Sequence, residues 1–416
     1  MRVAFCTNFV SPYRRPLFQK LADTPDWDFR VFVNATSEFD RAWDVDCGQL
    51  GVTKLETWSI KRTVHSEKPV PFEQVITLHL PLNLGSELRK YRPDVVFSHE
   101  LGPRSLAAYA ASRRLKRPFV LWSYQSRISA SQGSYRSWLR RFLLRRADAI
   151  VGMGTQARDV LRSYGAADEN VFDAFNAPDT DRIAADLADP GFMERLLQLR
   201  QRLPTDRKIA LVTGRLVPLK GIEPLVAAWT ALTPEERSGW CLAFVGDGPL
   251  KTLVEGREAE GIHALGVAPP EDMTAWHAVA DLHVFASCGD VWGLVVNEAM
   301  AVGAPVLCSV HAGCHDDLID HGRNGLLWDP MDPQSAKTSL AAALRRDDLP
   351  ELGQAGLETI SPIDQDQQAE AFRQAVSHGY ERFLRRTQVL PSRKQGGGPT
   401  STEMGDARSR PVETKT

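Results

Sequence analysis

Two acidic residues separated by seven positions, Asp290 and Glu298, lie in the most chemically patterned segment of this 416-residue chain. An apolar run over 282–286 predicts a strand before them, and Gly293 marks the start of a helix that carries Glu298 about one turn in. The free N–H groups of such a helix start, together with its dipole, attract anions. The pattern therefore favours a phosphorylated sugar as ligand, with backbone donors for phosphate and carboxylates for hydroxyl groups. The simpler alternative is that Glu298 caps its helix and Asp290 is an ordinary loop residue.

A second apolar run over 305–308 follows this helix and completes the strand–helix–strand unit of a parallel sheet. Ligands of such sheets bind beyond the carboxyl ends of the strands, which is where Asp290 and Gly293 fall. Strands and helices alternate along most of the chain, as parallel α/β construction requires. Because 416 residues exceed the usual size of one hydrophobic core, two α/β domains are expected.

Two cations follow another predicted strand, over 209–213, in the pattern Gly214-Arg215-Leu216-x-x-x-Lys220-Gly221. Phosphates gain charge-assisted hydrogen bonds from fixed cations, and a guanidinium can bind two phosphate oxygens at once. An arginine and a lysine at this spacing mean little alone. Combined with the acidic pair about 75 residues later, they predict a diphosphate site.

The acidic pair, its continuation through Gly303 and Pro305, and the Gly-Arg-Leu-x-x-x-Lys-Gly pattern resemble glycosyltransferase family 4. This family comprises retaining enzymes that use nucleotide sugars. Its GT-B fold consists of two Rossmann-like, doubly wound parallel-sheet domains facing a cleft. The resemblance covers residues 1–385 and is strongest over 208–330. It departs from the family at Asp290, where members usually have glutamate.

The resemblance implies a donor site built mainly by the second domain. Arg215 and Lys220 would grip the diphosphate, Glu298 the ribose and Asp290 the sugar hydroxyls, and these four are the predicted catalytic residues. Further donor contacts are expected from the N–H groups of Gly293, Leu294 and Val295, the backbone of Val267 and the loop at Gly313. No metal and no separate cofactor are implied, because the nucleotide sugar is a co-substrate.

The first domain offers two candidate acceptor residues. Arg14 follows the first predicted strand in the loop Ser11-Pro12-Tyr13-Arg14, which is similar to that of family members handling bacterial surface polysaccharides. Arg14 is a candidate phosphate or acceptor contact, and a rigid turn made by Pro12 is the alternative. His99 ends another predicted strand and either faces the crevice or is a hydrogen-bonded wall residue. Where related mannosyltransferases carry a histidine one strand later, this chain has Tyr124.

A metal site is the competing interpretation of His311, Cys314 and His315, which lie close together beside two aspartates. The glycine between them favours a loop instead. The six cysteines show no C-x-x-C spacing, which predicts free, buried thiols in a reducing cytoplasm rather than disulfides or zinc.

Basic residues are concentrated over 101–150, where eleven lysines and arginines accompany one acid, Asp148. The segment 134–147 predicts a helix with aromatic residues among its arginines, which suits docking on an anionic membrane surface. A solvated helix with its apolar side on the sheet is the alternative. A net charge of −2 and the lack of a recognition motif argue against nucleic acid. No signal peptide or long apolar run is present, so a cytoplasmic protein is expected, with peripheral attachment to the inner face of the cytoplasmic membrane.

The predicted organisation is an acceptor domain over 1–180, a linker with one helix over 181–206 and a nucleotide-sugar domain over 207–365. A helix over 366–390 would cross back to the first domain, and 391–416 has the composition of a disordered tail. The predicted function is that of a hexosyltransferase-type enzyme moving a sugar to a hydroxyl of a lipid-linked or cell-surface glycan. An epimerase or hydrolase on the same fold, and an inert sugar-nucleotide-binding protein, are the alternatives.

Overall fold

The computed structural model describes residues 1–35, 50–66, 70–127 and 134–387. Cys47 and the predicted tail over 391–416 lie outside these ranges. Within the described residues, the chain alternates between short strands and helices, as the sequence predicts for an α/β protein.

The strands fall into two groups along the chain. The first group is β1 (Arg2–Thr7), β2 (Asp28–Val33), β3 (Gly51–Lys54), β4 (Thr57–Ser66), β5 (Phe72–Pro81), β6 (Val95–His99), β7 (Phe119–Ser123), β8 (Ala149–Gly152) and β9 (Val171–Asp173). The second group is β10 (Lys208–Thr213), β11 (Trp240–Val245), β12 (Ile262–Ala264), β13 (Leu282–Phe285), β14 (Val306–Ser309) and β15 (Leu326–Trp328).

The helices divide in the same way, with two between the strand groups. The first domain contains α1 (Arg15–Ala22), α2 (Leu84–Tyr91), α3 (Pro103–Leu115), α4 (Ser134–Leu144) and α5 (Gly154–Ser163). The connection contains α6 (Thr180–Ala188) and α7 (Phe192–Arg200). The second domain contains α8 (Ile222–Ala231), α9 (Met273–Val279), α10 (Leu294–Ala301), α11 (His315–Leu318), α12 (Pro333–Leu344) and α13 (Leu349–Ile360), and α14 (Gln365–Thr387) follows.

Each strand group forms one parallel sheet. The first sheet has the order β3-β2-β1-β6-β7-β8-β9, and the second has the order β12-β11-β10-β13-β14-β15. In both sheets the chain first builds outward in one direction and then crosses to the other side. The strand order therefore reverses between β1 and β6 and between β10 and β13, and ligands of doubly wound sheets bind at such switch points. The predicted pair of doubly wound α/β domains is confirmed.

The alternation of side chains along the first sheet explains its three layers. Ala4 and Cys6 of β1 pack with α2, α3 and α4 on one face, whereas Val3 and Phe5 pack with α1 on the other. Both faces are covered, so the strands are apolar throughout rather than alternately polar.

The C-terminal helix α14 belongs to this second face, although it follows the second domain in sequence. Phe372 of α14 is 1% exposed and stacks on Phe97 of β6 at 5.5 Å between ring centroids. Near its end, Arg386 reaches the buried carboxylate of Asp148 at 3.0 Å. The chain thus returns to the first domain, where α14 covers one face of the first sheet through apolar contacts.

Two local features differ from what the sequence predicts. The stretch 40–75 is mostly polar and predicts a loop-rich segment, but its described part contains β3 and the antiparallel pair β4–β5. Apolar residues alternate with polar ones in this pair, yet several of them are exposed, as Trp58 is at 59%. The connection over 181–206 contains two helices rather than one, since α6 ends at Ala188 and α7 begins at Phe192.

None of the described helices combines the length and the apolar character that crossing a bilayer requires. The five cysteines within the described ranges are unpaired and buried. Burial raises the pKa of the Cys6 thiol to about 12 and that of Cys288 to about 11.

Candidate active site

The loop after β10 brings Lys220 against the loop after β13. Gly221 has a φ of +69°, and a Cβ there would overlap the carbonyl oxygen of Ala286 at the end of β13. The contact is held by Leu219, whose carbonyl accepts hydrogen bonds from Cys288 N at 2.9 Å and Ser287 Oγ at 2.9 Å. The glycine is therefore required for the cationic loop to lie this close to the acidic one.

The two loops join through an ion pair between the predicted diphosphate cation and the first predicted acid. Lys220 Nζ lies 2.6 Å from Asp290 Oδ2, and the other carboxylate oxygen accepts a hydrogen bond from Trp292 N at 3.1 Å. The side chains of Lys220 and Asp290 keep 31% and 21% of their surface exposed. Asp290 is thus fixed from two sides, yet both charged groups remain accessible.

The helix α10 begins beside this pair. Gly293 is its N-cap with a φ of +102°, and a Cβ there would press on the Phe285 ring at 3.0 Å. The first N–H groups of an α-helix have no partner inside the helix, so Gly293, Leu294 and Val295 present donors at this end. Glu298 follows one turn later with 24% of its side chain exposed.

Two histidines lie beneath Glu298 that the sequence did not single out. His277 of α9 is 2% exposed, its Nε2 is 3.6 Å from Glu298 Oε2, and neither ring nitrogen has a hydrogen-bond partner. Its ring contacts that of His283, which is fully buried and lies 3.3 Å from Thr213 Oγ1 through its own Nε2. Burial and then the charge of His277 lower the pKa of His283 well below its ordinary value. Both histidines lie in apolar stretches, so no local sequence pattern indicated that they would be near Glu298.

The remaining predicted donor residues lie on loops of the second domain. Arg215 is exposed directly after β10, and Val267 is 73% exposed after β12. Gly313 donates its N–H to the carbonyl of Asp290 at 3.0 Å, so the loop after β14 adjoins the ion pair. The structure thus gathers Lys220, Asp290 and Gly313 into one place.

The two candidate residues of the first domain contact each other. Arg14 Nη1 lies 3.4 Å from Nδ1 of His99, which is 1% exposed. Burial first, and then Arg14 and Arg104, lower the pKa of His99 well below its ordinary value. Tyr124 completes the group, with its ring 4.9 Å from that of His99 and 4.8 Å from the Arg14 guanidinium carbon. His99 is therefore a neutral residue behind Arg14 rather than an exposed one.

The segment proposed as an alternative metal site is engaged in other contacts. His311 Nε2 lies 2.8 Å from Asp329 Oδ1, and His315 Nε2 lies 2.8 Å from Asp316 Oδ1. Cys314 is fully buried, and burial raises the pKa of its thiol well above the ordinary value. Across the described ranges, no three His, Cys, Asp or Glu side chains are grouped as a metal ion would need.

The same segment bridges the two domains, a contact that sequence reasoning missed. Asp317 accepts hydrogen bonds from Thr155 N at 3.0 Å and from Thr155 Oγ1 at 2.6 Å, at the start of α5. Beside it, Gln156 Nε2 lies 3.2 Å from His315 Nδ1. The loop that adjoins Asp290 is thereby tied to the first domain. No sequence signal could have paired positions 162 apart without the fold.

Helix α4, the predicted membrane element, exposes its aromatic residues in part. Leu139 and Leu143 are buried against the sheet, whereas Tyr135 and Trp138 are 68% and 56% exposed. The expected single apolar side is therefore divided, because the sheet covers only the leucine positions. Arg136 and Arg141 are exposed on this helix, and Arg145 and Arg146 are exposed directly after its end.

Comparison with known proteins agrees with this architecture. A family model described as "Glycosyl transferase 4-like domain" matches residues 10–172, and one described as "Glycosyl transferases group 1" matches residues 207–346. The chain superposes on Anabaena Alr3699/HepE, solved in complex with UDP, with a TM-score of 0.69 and 16% identity over 91% of this chain and 100% of that one. It also superposes on sucrose-phosphate synthase from Thermosynechococcus elongatus, with a TM-score of 0.67 and 18% identity over 90% of this chain and 98% of that one. The fold is therefore GT-B.

Relatives found by sequence similarity are also glycosyltransferases. Sulfoquinovosyl transferase SQD2 of Arabidopsis thaliana is 28% identical over 71% of this chain and 59% of its own length. GDP-mannose-dependent alpha-mannosyltransferase of Corynebacterium glutamicum is 28% identical over 63% of this chain and 62% of its own length. The chain thus spans less than two thirds of these relatives. With both domain models matched, it belongs to the glycosyltransferases of the family 4 type.

Proposed function

We propose that this glycosyltransferase moves a sugar from a nucleoside-diphosphate sugar to a hydroxyl group of its acceptor. The observation that carries the proposal is the Lys220–Asp290 pair, 2.6 Å apart at the N-terminal end of α10 and at the switch point of the second sheet. The solved Anabaena relative in complex with UDP-glucose supports a nucleotide-sugar donor.

The chemistry follows from where charge develops as the glycosidic bond to phosphate breaks. Lys220, Arg215 and the N–H groups at the start of α10 would stabilise the departing diphosphate, and fixed donors aimed at developing charge are a large catalytic contribution. Asp290 has lone pairs left after its contacts with Lys220 and Trp292 N, so it can still accept from sugar hydroxyls. Glu298 would hold the ribose.

Retention of configuration belongs to the same proposal. In a single step it requires the acceptor hydroxyl to attack from the side that the diphosphate leaves, and the leaving phosphate oxygen then takes the hydroxyl proton as the new glycosidic bond forms. A proton NMR spectrum recorded early in the reaction tests this step. A product with the anomeric configuration of the donor is expected, and an inverted product would refute retention.

The donor is tested by thermal unfolding of the full chain with UDP-, GDP- and ADP-sugars, since a ligand of the native state raises Tm. One nucleotide class should stabilise the protein. Lys220→Ala should lower the affinity for that nucleotide sugar about tenfold or more, because hydrogen bonds to charged groups are lost. Lys337→Ala on α12 is the control and should bind normally. Unchanged donor binding and turnover in both Lys220→Ala and Glu298→Ala would contradict the assigned roles.

A lipid-linked or cell-surface glycan acceptor, met at the inner face of the cytoplasmic membrane, is proposed from the surface of α4. Exposed Tyr135 and Trp138 beside four exposed arginines have the chemistry of a surface that docks on anionic lipid. The same domain exposes Trp58 and, at 70%, Leu82 near the β4–β5 pair. Aromatic insertion and cation attraction would act together there.

Vesicle flotation tests this attachment. The protein should bind phosphatidylglycerol vesicles at low salt and phosphatidylcholine vesicles much less, and the double substitution of Tyr135→Ser and Trp138→Ser should reduce binding. Met193→Ser with Leu197→Ser on α7 is the matched control, since these residues are 62% and 53% exposed in a different region. Equal binding to both lipids, or equal loss in both double variants, would refute docking through α4.

A further inference from the structure

The cluster around Arg14 contains a cation that no carboxylate contacts directly. The Arg14 guanidinium carbon lies 5.5, 5.2 and 4.8 Å from the ring centroids of Tyr13, Trp122 and Tyr124. Within the described part of the chain, no carboxylate oxygen comes within 4.0 Å of the guanidinium, and Glu100 nearby is bound by Arg104 at 3.0 Å. Buried charges are normally paired, so this arrangement requires an explanation.

Two other half-buried arginines of the same domain follow the usual rule. Arg113 pairs with Asp148 at 2.7 Å, and Arg158 pairs with Asp173 at 2.6 Å. Arg14 differs from these two because it contacts three aromatic rings and no carboxylate. Cation–π contacts hold a guanidinium in position but leave its N–H groups directed elsewhere.

Two of the polar atoms left unsatisfied in the Arg14 cluster are donors. Nδ1 of His99 lies 3.4 Å from both Arg14 Nη1 and Thr7 Oγ1, so in the neutral ring Nδ1 accepts and the proton is on Nε2. That Nε2 and Arg14 Nε are buried without a hydrogen-bond partner. The hydroxyl of Tyr124 lies beside the Arg14 charge. The group that would satisfy this cluster is an acceptor, and a negatively charged one fits best.

The cluster also lies where a substrate can reach it. Arg14 follows β1, His99 ends β6 and Tyr124 follows β7, so all three are at the carboxyl edge of the first sheet beside its switch point. Arg14 and Tyr124 are half-buried, and Tyr13 is 37% exposed, which leaves an open side.

We propose that the Arg14 cluster binds an anionic group, a phosphate or a carboxylate, carried by the acceptor. The proposal rests on the function proposed above and narrows its acceptor to an acidic or phosphorylated one. The acceptor is favoured over the donor diphosphate because the cluster belongs to the first domain, whereas the predicted diphosphate cations belong to the second. Arg14 is thus a specificity-determining residue.

Binding of small anions to the full chain tests the proposal directly. Inorganic phosphate, glucose 6-phosphate and glucuronate are titrated by calorimetry, with glucose as the neutral probe. The wild type should bind the phosphates or glucuronate more tightly than it binds glucose. Whichever of the two anion types binds more tightly shows whether the site takes a phosphate or a carboxylate. Arg14→Gln should lower the affinity for the preferred anion about 10- to 100-fold, since a charge-assisted contact is lost.

Arg15→Gln is the matched control, because Arg15 is the next residue in the chain, also an arginine, and exposed. It should bind the anion as the wild type does. UDP-, GDP- or ADP-sugar affinity should be the same in all three proteins. If Arg14→Gln does not fold, protection of Arg14 from phenylglyoxal by the same anions in the wild type replaces it, with the modified peptide identified by mass spectrometry.

The outcomes separate the two proposals. Anion affinity that is equal in Arg14→Gln and Arg15→Gln, or no Arg14 protection, would overturn the inference. A selective loss of nucleotide-sugar affinity in Arg14→Gln would also overturn it and assign Arg14 to the donor. Failure of every nucleotide sugar to bind any of the proteins, with Arg14-dependent anion binding intact, would refute the proposed function and leave the anion site.

Discussion

Replacing Gly154 with alanine is expected to loosen the contact between the two domains. Gly154 begins α5 with a φ of +76°, and a Cβ there would overlap the carboxylate of Asp317 and approach the Trp292 ring to 2.7 Å. Both neighbours belong to the second domain and neither can move freely. Asp317 is held by Thr155, and Trp292 is 2% exposed in the apolar cluster between the domains.

The magnitude has two parts. A left-handed backbone conformation costs a residue with a Cβ about 1–2 kcal/mol. Displacing Asp317 from the N–H and hydroxyl of Thr155 costs about another 1.5–3 kcal/mol, the range for hydrogen bonds to a charged group. Only the second part belongs to the domain contact, so the measurement must separate it from the first.

Gly239→Ala provides that separation. Gly239 has the same φ of +76°, but a Cβ there would meet nothing within 4 Å. Thermal unfolding should therefore show Gly154→Ala to be less stable than Gly239→Ala by about 1.5–3 kcal/mol, or about 3–12 °C in Tm for a domain of this size. Donor affinity should also fall in Gly154→Ala alone, because the loop of Asp317 adjoins Asp290 through Gly313. Equal Tm values in the two variants would refute the reasoning.

Three further results are expected. Gly221→Ala should abolish most donor binding measured by calorimetry while the far-ultraviolet circular dichroism is kept, because the new methyl group displaces the Lys220 loop; normal donor affinity would contradict this. Since the pKa of buried His283 is lowered, the unfolded chain binds its proton as pH falls below about 6.5 and the folded one does not, so stability should drop by up to about 1.4 kcal/mol per pH unit in urea titrations. His283→Gln should flatten that slope, and an unchanged slope would exclude this histidine as its source. Phe372→Ala should cost about 3–5 kcal/mol in urea unfolding by leaving a cavity against Phe97, and a loss below about 1 kcal/mol would show that α14 is not part of the core.

The elements that position the proposed donor site were predictable because each is marked locally. The apolar runs of β10 and β13, the glycines at 221 and 293 and the charged residues between them all lie within short segments. Each segment carries its own physical reason to be a strand, a tight turn or a helix start. The β4–β5 pair and the second helix of the connection also carry local marks, the alternation at Trp58 and Ile60 and the turn residues Pro190 and Gly191, but both were missed.

The roles of the site residues were less predictable than their places. The sequence suggested that Asp290 contacts the sugar, and the structure adds that it is paired with Lys220. His99 was weighed as facing the crevice or forming a wall, and the structure places it behind Arg14, 1% exposed. In both cases the partner comes from a distant segment that folding brings near.

The amino-acid sequence by itself determined the α/β class, the two doubly wound domains and the segments in which phosphate binding is proposed, because these depend on local periodicity and on residues close together in the chain. Only the tertiary structure decided the Asp317–Thr155 contact between the domains and the Arg14 cluster at the edge of the first sheet. These depend on side chains separated by roughly 85 to 160 positions. Their proximity is a property of how strands are ordered and domains packed, which no local pattern encodes.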